Sequence, residues 1–267
     1  MLVVVKAGGR TLMNNMENIV KSIVKRKDWK VIFVHGGGDL VDEWERRMGM
    51  EPQFKISASG VKFRYTDEKE LEVFVAVLGG LLNKKIVSEF YKQGRNAFGM
   101  TGADGPSVIA ERKRRVIVKE KVGERERKRA IPGGYTGKIV EVRKEPFEAL
   151  LNSDMVPVVA PIALGKEGEL LNVNGDQMAA EIAKALKADY LLLLTDVPGV
   201  LVDREVVKEI RAQEAEEFAK SKIGPGMNIK VIMAGRVAME GTKVVIADGT
   251  KDDPLSVIES REGTWIV

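Results

Sequence analysis

Runs of β-branched and other apolar residues alternate with amphipathic stretches along most of this chain, which is the pattern of strands alternating with helices. Strands are predicted at residues 2–6 and 30–35, and each is followed by a helical stretch, near 13–27 and 39–48 respectively. This βαβ order predicts an α/β protein in which a central, mostly parallel sheet lies between two helical layers, a three-layer sandwich.

The alternation of strands and helices has one interruption. A long helix is predicted from Thr66 toward Phe90, because an acidic first turn follows Thr66. Residues from about 107 to 142 instead predict short strands within a hairpin-like excursion. Regular order then resumes. Strands are predicted at 156–161, 190–194, 243–247 and 263–267, and helices at 176–187, at 213–221 and from about Lys230. We expect two lobes on one continuous sheet, 1–168 and 169–267, with a basic hairpin at 111–142.

Composition narrows the class of protein. With 44% apolar residues and no run of 18 uninterrupted apolar residues, the chain is predicted to be globular, without a membrane-spanning helix. It has no cysteine, which excludes disulfides and thiolate metal sites, and its first residues lack a signal-peptide pattern, so we expect a cytoplasmic protein. Charged residues make up 31% and glutamine is scarce, which hints at a thermophilic source.

The net charge of +4 is unevenly distributed. Residues 111–130, called the basic arm below, hold ten Lys/Arg and four Glu, so their local charge is +6 and the rest of the chain carries −2. A localised basic projection favours an acidic protein partner over a surface coated for nucleic acid. A solvated hairpin without a partner would show the same pattern.

Glycines follow two of the predicted strands. Residues 6–9 are Lys-Ala-Gly-Gly, and residues 35–38 are His-Gly-Gly-Gly. Glycines at a strand end let backbone N–H groups approach an oxyanion without a Cβ in the way, and a lysine in the turn supplies a mobile positive charge. The pattern predicts a phosphate-transfer site at the strand ends. The glycines alone would suit structural turns equally well, and His35 is expected to be structural.

Seven motifs occur along the chain in a particular order: Lys-x-Gly-Gly, His-Gly-Gly-Gly, Arg-x-Thr, Gly-x-Asp-Gly, Asn-x-Asn-x-Asp, Thr-Asp-Val-x-Gly-Val and Gly-x-Gly-Met-x-x-Lys. Together they resemble the amino acid kinase superfamily, with the acetylglutamate kinase-like branch nearest. The resemblance implies the amino acid kinase fold and transfer of the γ-phosphoryl group of ATP onto a side-chain carboxylate. A carboxylate with a pKa of about 4 is already ionised at neutral pH, so this reaction needs positive charge and backbone donors rather than a general base.

The resemblance also implies roles for individual residues. Lys6 and Lys230 would flank the transferring phosphoryl group as catalytic residues, and Asp176 would hold both lysines in place. Mg²⁺ would be held mainly by the phosphates of ATP and by water. The other implied residues are Gly8, Gly9, Gly36 and Gly37 as backbone donors, Arg64 and Asn172 as acceptor-binding residues, and Thr195, Asp196, Gly199 and Met227 as ATP-binding residues.

Three of these interpretations have simpler alternatives. Asp176 could be a helix N-terminal aspartate that the helix dipole stabilises. Lys230 depends on its spacing from Gly226-Met227 alone, since surface lysines are common. Asp104, which lies close to two glycines, is expected to be a turn aspartate.

Two segments resemble one branch of the superfamily more closely. Residues 57–60 and 134–138 are similar to kinases acting on amino acids carried by the acidic protein LysW, in lysine and arginine biosynthesis. In that branch the γ-carboxyl of the carrier's terminal glutamate is linked to the amino group of α-aminoadipate or glutamate, whose distal carboxylate is phosphorylated. LysW is then the expected partner of the basic arm, docked by Arg125, Arg127 and Arg129 through steering more than affinity. Lys62 and Gly134 depart from the pattern, since many members carry Arg and Asp there.

Two other functions stay open. An N-acetyl-L-glutamate kinase of arginine biosynthesis would differ mainly in the acceptor. A non-catalytic sensor or nucleic-acid-binding protein on the same fold would use the basic arm, but the arm has no interleaved aromatic residues to stack on bases. The resemblance favours a homodimer, with neither nucleic acid nor membrane among its partners.

Overall fold

A computed structural model describes residues 1–58, 60, 62–122, 125–224 and 226–267, and of residues 121, 122, 125 and 126 it describes the backbone alone. The strands are β1 (Leu2–Ala7), β2 (Lys30–His35), β3 (Phe54–Ser57), β4 (Lys62–Arg64), β5 (Ala97–Thr101), β6 (Val108–Arg112), β7 (Arg115–Val122), β8 (Arg125–Pro132), β9 (Gly137–Val142), β10 (Val156–Ala160), β11 (Ile162–Gly165), β12 (Leu170–Asn172), β13 (Tyr190–Thr195), β14 (Leu201–Val202), β15 (Glu205–Val206), β16 (Glu209–Ile210), β17 (Lys243–Asp248) and β18 (Thr264–Ile266). The helices are α1 (Gly9–Val24), α2 (Gly38–Arg47), α3 (Glu68–Phe74), α4 (Asn83–Lys92), α5 (Glu145–Asn152), α6 (Gly175–Ala185), α7 (Ala215–Lys222), α8 (Met227–Ala238) and α9 (Val257–Ser260), with a π-helical segment at Val75–Leu82 and 3₁₀ turns at Ala212–Glu214 and Pro254–Ser256.

The central sheet has the strand order β16-β18-β17-β13-β1-β2-β10-β5, counted over the described residues. Adjacent strands from β17 to β5 are parallel, whereas β18 runs antiparallel to β17. The predicted mostly parallel α/β sheet is therefore confirmed. Because β1 pairs with β2 on one side and β13 on the other, one sheet joins the two halves of the chain. The division into lobes at residue 168 stays a prediction.

Helices cover both faces of this sheet, which is why its inner strands are apolar throughout. Successive residues of β1 point to opposite faces, so Val4 packs into one buried cluster and Val3 and Val5 into the other. Helices α6 and α8 contribute to the first cluster, and α1 and α4 to the second. In the described part of the chain, no helix is long and apolar enough to cross a membrane.

The excursion predicted at 107–142 forms more strand than the sequence suggested. Strands β7 and β8 form a regular antiparallel hairpin that pairs from Arg115 with Pro132 out to Val122 with Arg125, and this hairpin carries most of the basic arm. It belongs to a sheet of order β4-β3-β7-β8, while β12-β11-β6-β9 forms another. The short β3–β4 hairpin was not predicted, because its strands lack a long apolar run.

The long helix predicted from Thr66 toward Phe90 is confirmed in extent but not in regularity. Asp67 caps its start by accepting a hydrogen bond from the Glu70 N–H at 2.9 Å. Between α3 and α4 the segment Val75–Leu82 is π-helical. There Gly79 packs against Ile162 and Thr101, which leaves no room for a larger residue without a shift. This wider turn places Leu78 and Leu82 against Gly37, close to the predicted site.

Candidate active site

The carboxyl ends of three adjacent parallel strands bring the predicted residues together. Lys6 lies one residue before the end of β1, beside Val34 of β2 and Leu193 of β13. The two glycine turns and Thr195 follow directly at the same edge. Parallel α/β sheets bind their ligands at this edge, where strand ends and helix N-termini converge.

Two lysines share one carboxylate at the centre of the site. The Lys6 Nζ lies 2.8 Å from the Asp176 Oδ1, and the Lys230 Nζ lies 2.9 and 3.0 Å from the two carboxylate oxygens. Lys6 and Lys230 are each only 8% exposed, although they come from β1 and α8, more than 200 positions apart in the sequence. The structure therefore assembles the three residues that the resemblance singled out, and a plain surface lysine at position 230 is ruled out.

The electrostatics of this cluster leave it with a net positive charge. Burial alone would raise the pKa of Asp176, but the charges of Lys6 and Lys230 outweigh it and hold that pKa well below its usual range. Burial and the neighbouring ammonium of Lys6 lower the pKa of Lys230, while Asp176 and Asp196 oppose this. A second anion at the cluster, such as a phosphoryl group, would relieve the repulsion between the two ammonium groups.

The two glycine turns pack directly against each other. A Cβ built on Gly9 would lie 2.8 Å from the Gly37 Cα and N, and Gly37 adopts a φ of +155° that favours glycine. Gly9 begins α1 and Gly37 caps α2, where helical N–H groups have no intrahelical acceptor. Among the described contacts, neither the Gly9 N–H nor the Gly37 N–H donates a backbone hydrogen bond, so both are available to an oxyanion.

The predicted donor role is wrong for Gly36. Its N–H donates to the Ala7 carbonyl at 2.9 Å, as part of the pairing between the ends of β1 and β2. The Gly8 N–H is directed at the Leu194 carbonyl, at a longer 3.4 Å. Strand pairing thus continues one residue further into each turn than the glycine pattern suggested.

His35 is buried and structural, as the sequence predicted. Its Nδ1 lies 3.0 Å from the Gly36 carbonyl and its Nε2 lies 3.2 Å from the Asn83 Nδ2, which also donates to the Val158 carbonyl. These contacts fit a neutral ring that donates from Nδ1 and accepts at Nε2. Because the Gly36 carbonyl and the Gly37 N–H belong to one peptide plane, the imidazole also fixes the direction of that N–H.

The histidine predicts a pH dependence of stability. Burial lowers the pKa of His35 from 6.5 to about 4, so between these values the unfolded chain binds a proton that the folded chain does not. Stability is therefore lost as the pH falls through this window, by about 3 kcal/mol for a shift of this size. In urea unfolding at pH 7 and pH 4, the wild type should lose about that much more free energy of unfolding than His35→Gln. Parallel pH profiles would contradict the neutral, buried histidine.

A large cavity of about 1060 Å³ opens from the Gly36–Gly38 turn. It is lined by residues of β3, β4, β7 and the turn before β7, and by residues of α6 and α8. The predicted acceptor residues Arg64 and Asn172 both line this cavity. The Asn172 Nδ2 donates to the Thr66 Oγ1 at 2.8 Å, which fixes the amide at the cavity floor.

The guanidinium of Arg64 is already occupied by carboxylates of this chain. Its Nη1 lies 2.8 Å from a Glu45 oxygen and 3.3 Å from a Glu70 oxygen, while its Nη2 contacts Asp42 and the Gly38 carbonyl. Burial, followed by the charge of Glu70, raises the pKa of Glu45 to about 8. Among the described contacts of Arg64, only its Nε has no partner, so the predicted bidentate grip on a substrate carboxylate would require these ion pairs to rearrange.

Two of the predicted nucleotide residues, Thr195 and Asp196, lie at the end of β13, which borders β1 on the side away from β2. Thr195 ends β13, and the Thr195 Oγ1 contacts the Asp196 carboxylate at 3.3 Å. Gly199 packs against the Thr264 side chain, which would lie 2.7 Å from a Cβ there. Met227 begins α8, the helix that also carries Lys230. Their role in binding ATP stays a prediction.

One charged residue near the site, Arg10, was missed by the sequence analysis. Arg10 is exposed, and its guanidinium lies 3.5 Å from Asp196 and 3.7 Å from Asp39. Its only sequence signal was its position directly after Gly9. Asp104 is a turn aspartate as expected, since its Oδ2 accepts from the Thr101 N–H and hydroxyl at 2.6 and 2.8 Å.

The basic arm projects from the wall of the cavity. Residues 125, 127 and 129 of β8 share one face of the strand, because successive residues of a strand alternate between its two faces. Arg127 and Arg129 are exposed, and among the described side chains Arg129 pairs with Glu120 alone, at 3.6 Å. The side chain of Arg125 lies outside the described residues.

Comparison with known proteins places these features in context. Residues 1–248 match the model of the amino acid kinase family. A protein of Ignicoccus hospitalis, provisionally named LysW-aminoadipate/LysW-glutamate kinase, is 74% identical over 266 residues, and the match covers 100% of each chain. A LysW-aminoadipate/LysW-glutamate kinase of Metallosphaera sedula is 46% identical over 99% of this chain and 100% of its own. The crystal structure of smu.665 from Streptococcus mutans UA159 has a TM-score of 0.79 at 23% identity, covering 100% of this chain and 98% of the other, and so shows the shared fold.

Proposed function

Because this chain belongs to the amino acid kinase family, we propose that it is the kinase that phosphorylates the side-chain carboxylate of L-2-aminoadipate, L-glutamate or both while they are attached to LysW. The product is an acyl phosphate of lysine or arginine biosynthesis. Relatives that are 46–74% identical along their whole length carry names for this activity. The observation that carries the phosphotransfer chemistry is the buried Lys6–Asp176–Lys230 cluster at the strand ends.

The residues of this cluster suit transfer between two anions. In the proposed reaction, an acceptor carboxylate oxygen attacks the γ-phosphorus of ATP and ADP leaves, so negative charge spreads over the transferring group. Lys6 and Lys230 stabilise that charge from the two sides, and Asp176 keeps their ammonium groups oriented without lowering the net charge to zero. The N–H groups of Gly9 and Gly37 supply further donors. No side chain has to remove a proton, which agrees with a chain whose one histidine is buried and neutral.

The donor set also fits a nucleotide that brings its own cation. Among the described residues, no group of three or more His, Asp or Glu side chains is arranged to hold a metal ion by itself. We expect Mg²⁺ to be bound mainly through the phosphates of ATP and water, close to Asp196, whose charge acts on Lys230. When bound, the ion neutralises charge on the phosphates.

The proposal is tested by a hydroxamate assay with three acceptors at equal concentration: LysW-aminoadipate, LysW-glutamate and N-acetylglutamate. We expect kcat/KM for at least one carrier-bound acceptor to exceed that for N-acetylglutamate by two orders of magnitude or more. Turnover of N-acetylglutamate that equals or exceeds turnover of both carrier-bound acceptors would give the function to the N-acetylglutamate kinase alternative.

The basic arm predicts a charge-dependent encounter with the carrier. Reversal of Arg125, Arg127 and Arg129 to glutamate should lower kcat/KM for the carrier-bound acceptor about 10-fold or more, because steering by a charged surface raises association rates by at least that factor. A small N-acylated acceptor should react at the wild-type rate. The wild-type carrier reaction should also slow with added salt, because the Debye length shortens as salt is added and is about 10 Å at 0.1 M.

A charge-matched control separates steering from a general effect of net charge. Lys27, Lys85 and Lys208 are exposed and lie outside the basic arm. Reversal of these three to glutamate should leave the carrier reaction and its salt dependence near wild type. Equal losses for the carrier-bound and small acceptors in the arm variant would mean that the arm supports the fold instead of docking LysW.

A further inference from the structure

Two buried glutamates beside Arg64 take no part in the chemistry described so far. Glu45 of α2 is 0% exposed and Glu70 of α3 is 1% exposed, and they lie 2.8 and 3.3 Å from the same guanidinium nitrogen, the Nη1 of Arg64. With Asp42 on Nη2, one guanidinium faces three carboxyl groups. Burial disfavours a carboxylate whose charge is not balanced, so the three groups are not expected to be ionised together.

Each of the two glutamates has one oxygen that no donor reaches. The Glu45 Oε1 and the Glu70 Oε2 are buried and have no hydrogen-bond partner among the described residues. The other oxygen of each accepts from the Arg64 Nη1, and the Glu70 Oε1 also accepts from the Gln53 N–H at 3.1 Å. An ionised carboxylate can only accept, whereas a protonated one can donate. One proton on this pair would therefore give both glutamates a hydrogen bond.

The surrounding charges favour a proton on Glu45. Burial, then the charge of Glu70 and a hydrogen bond between the two side chains, raise the pKa of Glu45 to about 8. Burial also raises the pKa of Glu70, but the Gln53 N–H and the charge of Arg64 oppose this. The other charged groups that act on the pair or on Arg64 are Asp39, Asp42, Arg46 and Asp67. At neutral pH, Glu45 is thus the donor and Glu70 the ionised acceptor.

The proton sets the amount of negative charge around Arg64. With the proton present, the three carboxyl groups carry two negative charges, and without it they carry three. Arg64 lines the cavity and is the residue predicted to bind the α-carboxylate of the acceptor, which is itself an anion. A further negative charge beside Arg64 repels that anion. It also strengthens the ion pairs that would have to rearrange before Arg64 could bind the acceptor.

We propose that Glu45 and Glu70 share one proton and act as positioning residues for Arg64, which binds the α-carboxylate of the acceptor more tightly while that proton is present. Neither glutamate has to contact the acceptor. The inference rests on the proposed function in one respect, the assignment of Arg64 to the acceptor. Its consequence is an affinity for the acceptor that falls as the solution becomes alkaline and the proton is lost.

The first test is the KM for the preferred acceptor, measured at saturating ATP from about pH 6 to about pH 9.5. In the wild type we expect this KM to rise about 5- to 10-fold, with a midpoint near pH 8, while the KM for ATP stays nearly constant. Burial and the charge of Lys6 lower the pKa of Lys230, so kcat can also fall at high pH. Such a fall should be the same in the wild type and in the variants below.

The variants are Glu45→Gln and Glu70→Gln, with Glu43→Gln as the matched control. In Glu45→Gln a neutral amide replaces the protonated carboxyl, so the KM for the acceptor should no longer rise with pH. In Glu70→Gln the charge that helps to hold the proton is gone, so the rise should remain but move to lower pH. Glu43 belongs to the same helix, is exposed and pairs with Arg47, so Glu43→Gln should keep the wild-type profile.

The second test needs neither acceptor nor ATP. Infrared spectra in D₂O should show the C=O stretching band of a protonated carboxyl at pH 7 in the wild type, and the band should disappear at pH 9.5. It should be absent from Glu45→Gln at both pH values and unchanged in Glu43→Gln. A pair of ionised carboxylates bridged by a buried water would give no such band.

Three results would overturn the inference while leaving the proposed function intact. The first is a wild-type spectrum without the band at pH 7, and the second is a wild-type KM for the acceptor that does not change with pH. The third is a rise in KM that is the same in Glu45→Gln as in the wild type. If N-acetylglutamate is the preferred acceptor, the proposed function fails instead. The shared proton is then tested with that compound, which also carries an α-carboxylate.

Discussion

Lys230→Ala is expected to lower kcat by about 10²- to 10³-fold, the cost of removing one preorganised donor from a developing oxyanion. Lys6→Ala should have an effect of the same size. The charge of each lysine is used mainly as negative charge spreads in the transition state, so the affinity for ATP should change far less than turnover. Folding should also be largely retained, because Asp176 keeps one lysine partner in either variant. Steady-state kinetics, ATP titration and urea unfolding measure the three quantities.

The control for these variants is Lys184→Ala. Lys184 also lines the cavity and is partly buried, but it pairs with Glu181 and Glu240, away from the strand ends. Its replacement should change kcat by less than about tenfold, as expected for a residue that does not contact the transferring group. If Lys6→Ala or Lys230→Ala turns over as fast as Lys184→Ala, that lysine is not part of the catalytic site.

Asp176→Asn should be both inactive and less stable. The substitution leaves two ammonium groups, each 8% exposed, facing each other without a counter-charge. Removing one partner of a buried ion pair typically costs about 3–5 kcal/mol of the free energy of unfolding. The difference in free energy of unfolding between this variant and the wild type should become smaller as the pH rises toward 10. In the folded variant the two lysines repel each other and bind protons less readily than they do in the unfolded chain. The stability of the variant therefore rises with pH.

Asp39→Asn distinguishes this role from that of a helix N-terminal aspartate. Asp39 lies in the first turn of α2 as Asp176 lies in the first turn of α6, but it is exposed and has only a distant partner in Arg10. If the helix dipole were the main contribution, both variants should lose a similar amount, about 0.3–1 kcal/mol. A small and equal loss in both would therefore contradict the proposed function of Asp176.

The sequence was most informative where one residue type has one physical use. A β-branched run such as Val3–Val5, followed by glycines, favours an inner strand, and the lysine, glycine and aspartate motifs were predicted at positions that the structure brings together. The order of strands and helices then followed from connection rules. These are properties of neighbouring residues, which a chain read in order displays directly.

Contacts between distant residues could not be predicted in the same way. Nothing near Arg64 in the sequence indicates that Asp42 and Glu45 will occupy its guanidinium, because α2 reaches it only through the fold. Likewise, the sequence showed Gly134 only as a departure from a pattern in which many members carry Asp. It adopts a φ of +62° against the Thr66 carbonyl, so the backbone requires a glycine there. The Gly36 N–H was also misassigned, since its pairing with Ala7 depends on the register of two strands.

The contact between Gly9 and Gly37 sets the distance between the two turns by main-chain atoms alone. Side chains that separate two groups can change rotamer and so alter the distance between them. Two backbone segments in direct contact instead keep a fixed distance. A methyl group at position 9 would increase the distance between the two turns, and movement elsewhere in the chain could not restore it. In the proposed reaction, in-line alignment would therefore depend on the crossing of two chain segments, and Lys6 and Lys230 would supply charge to a path whose length the backbone already fixes.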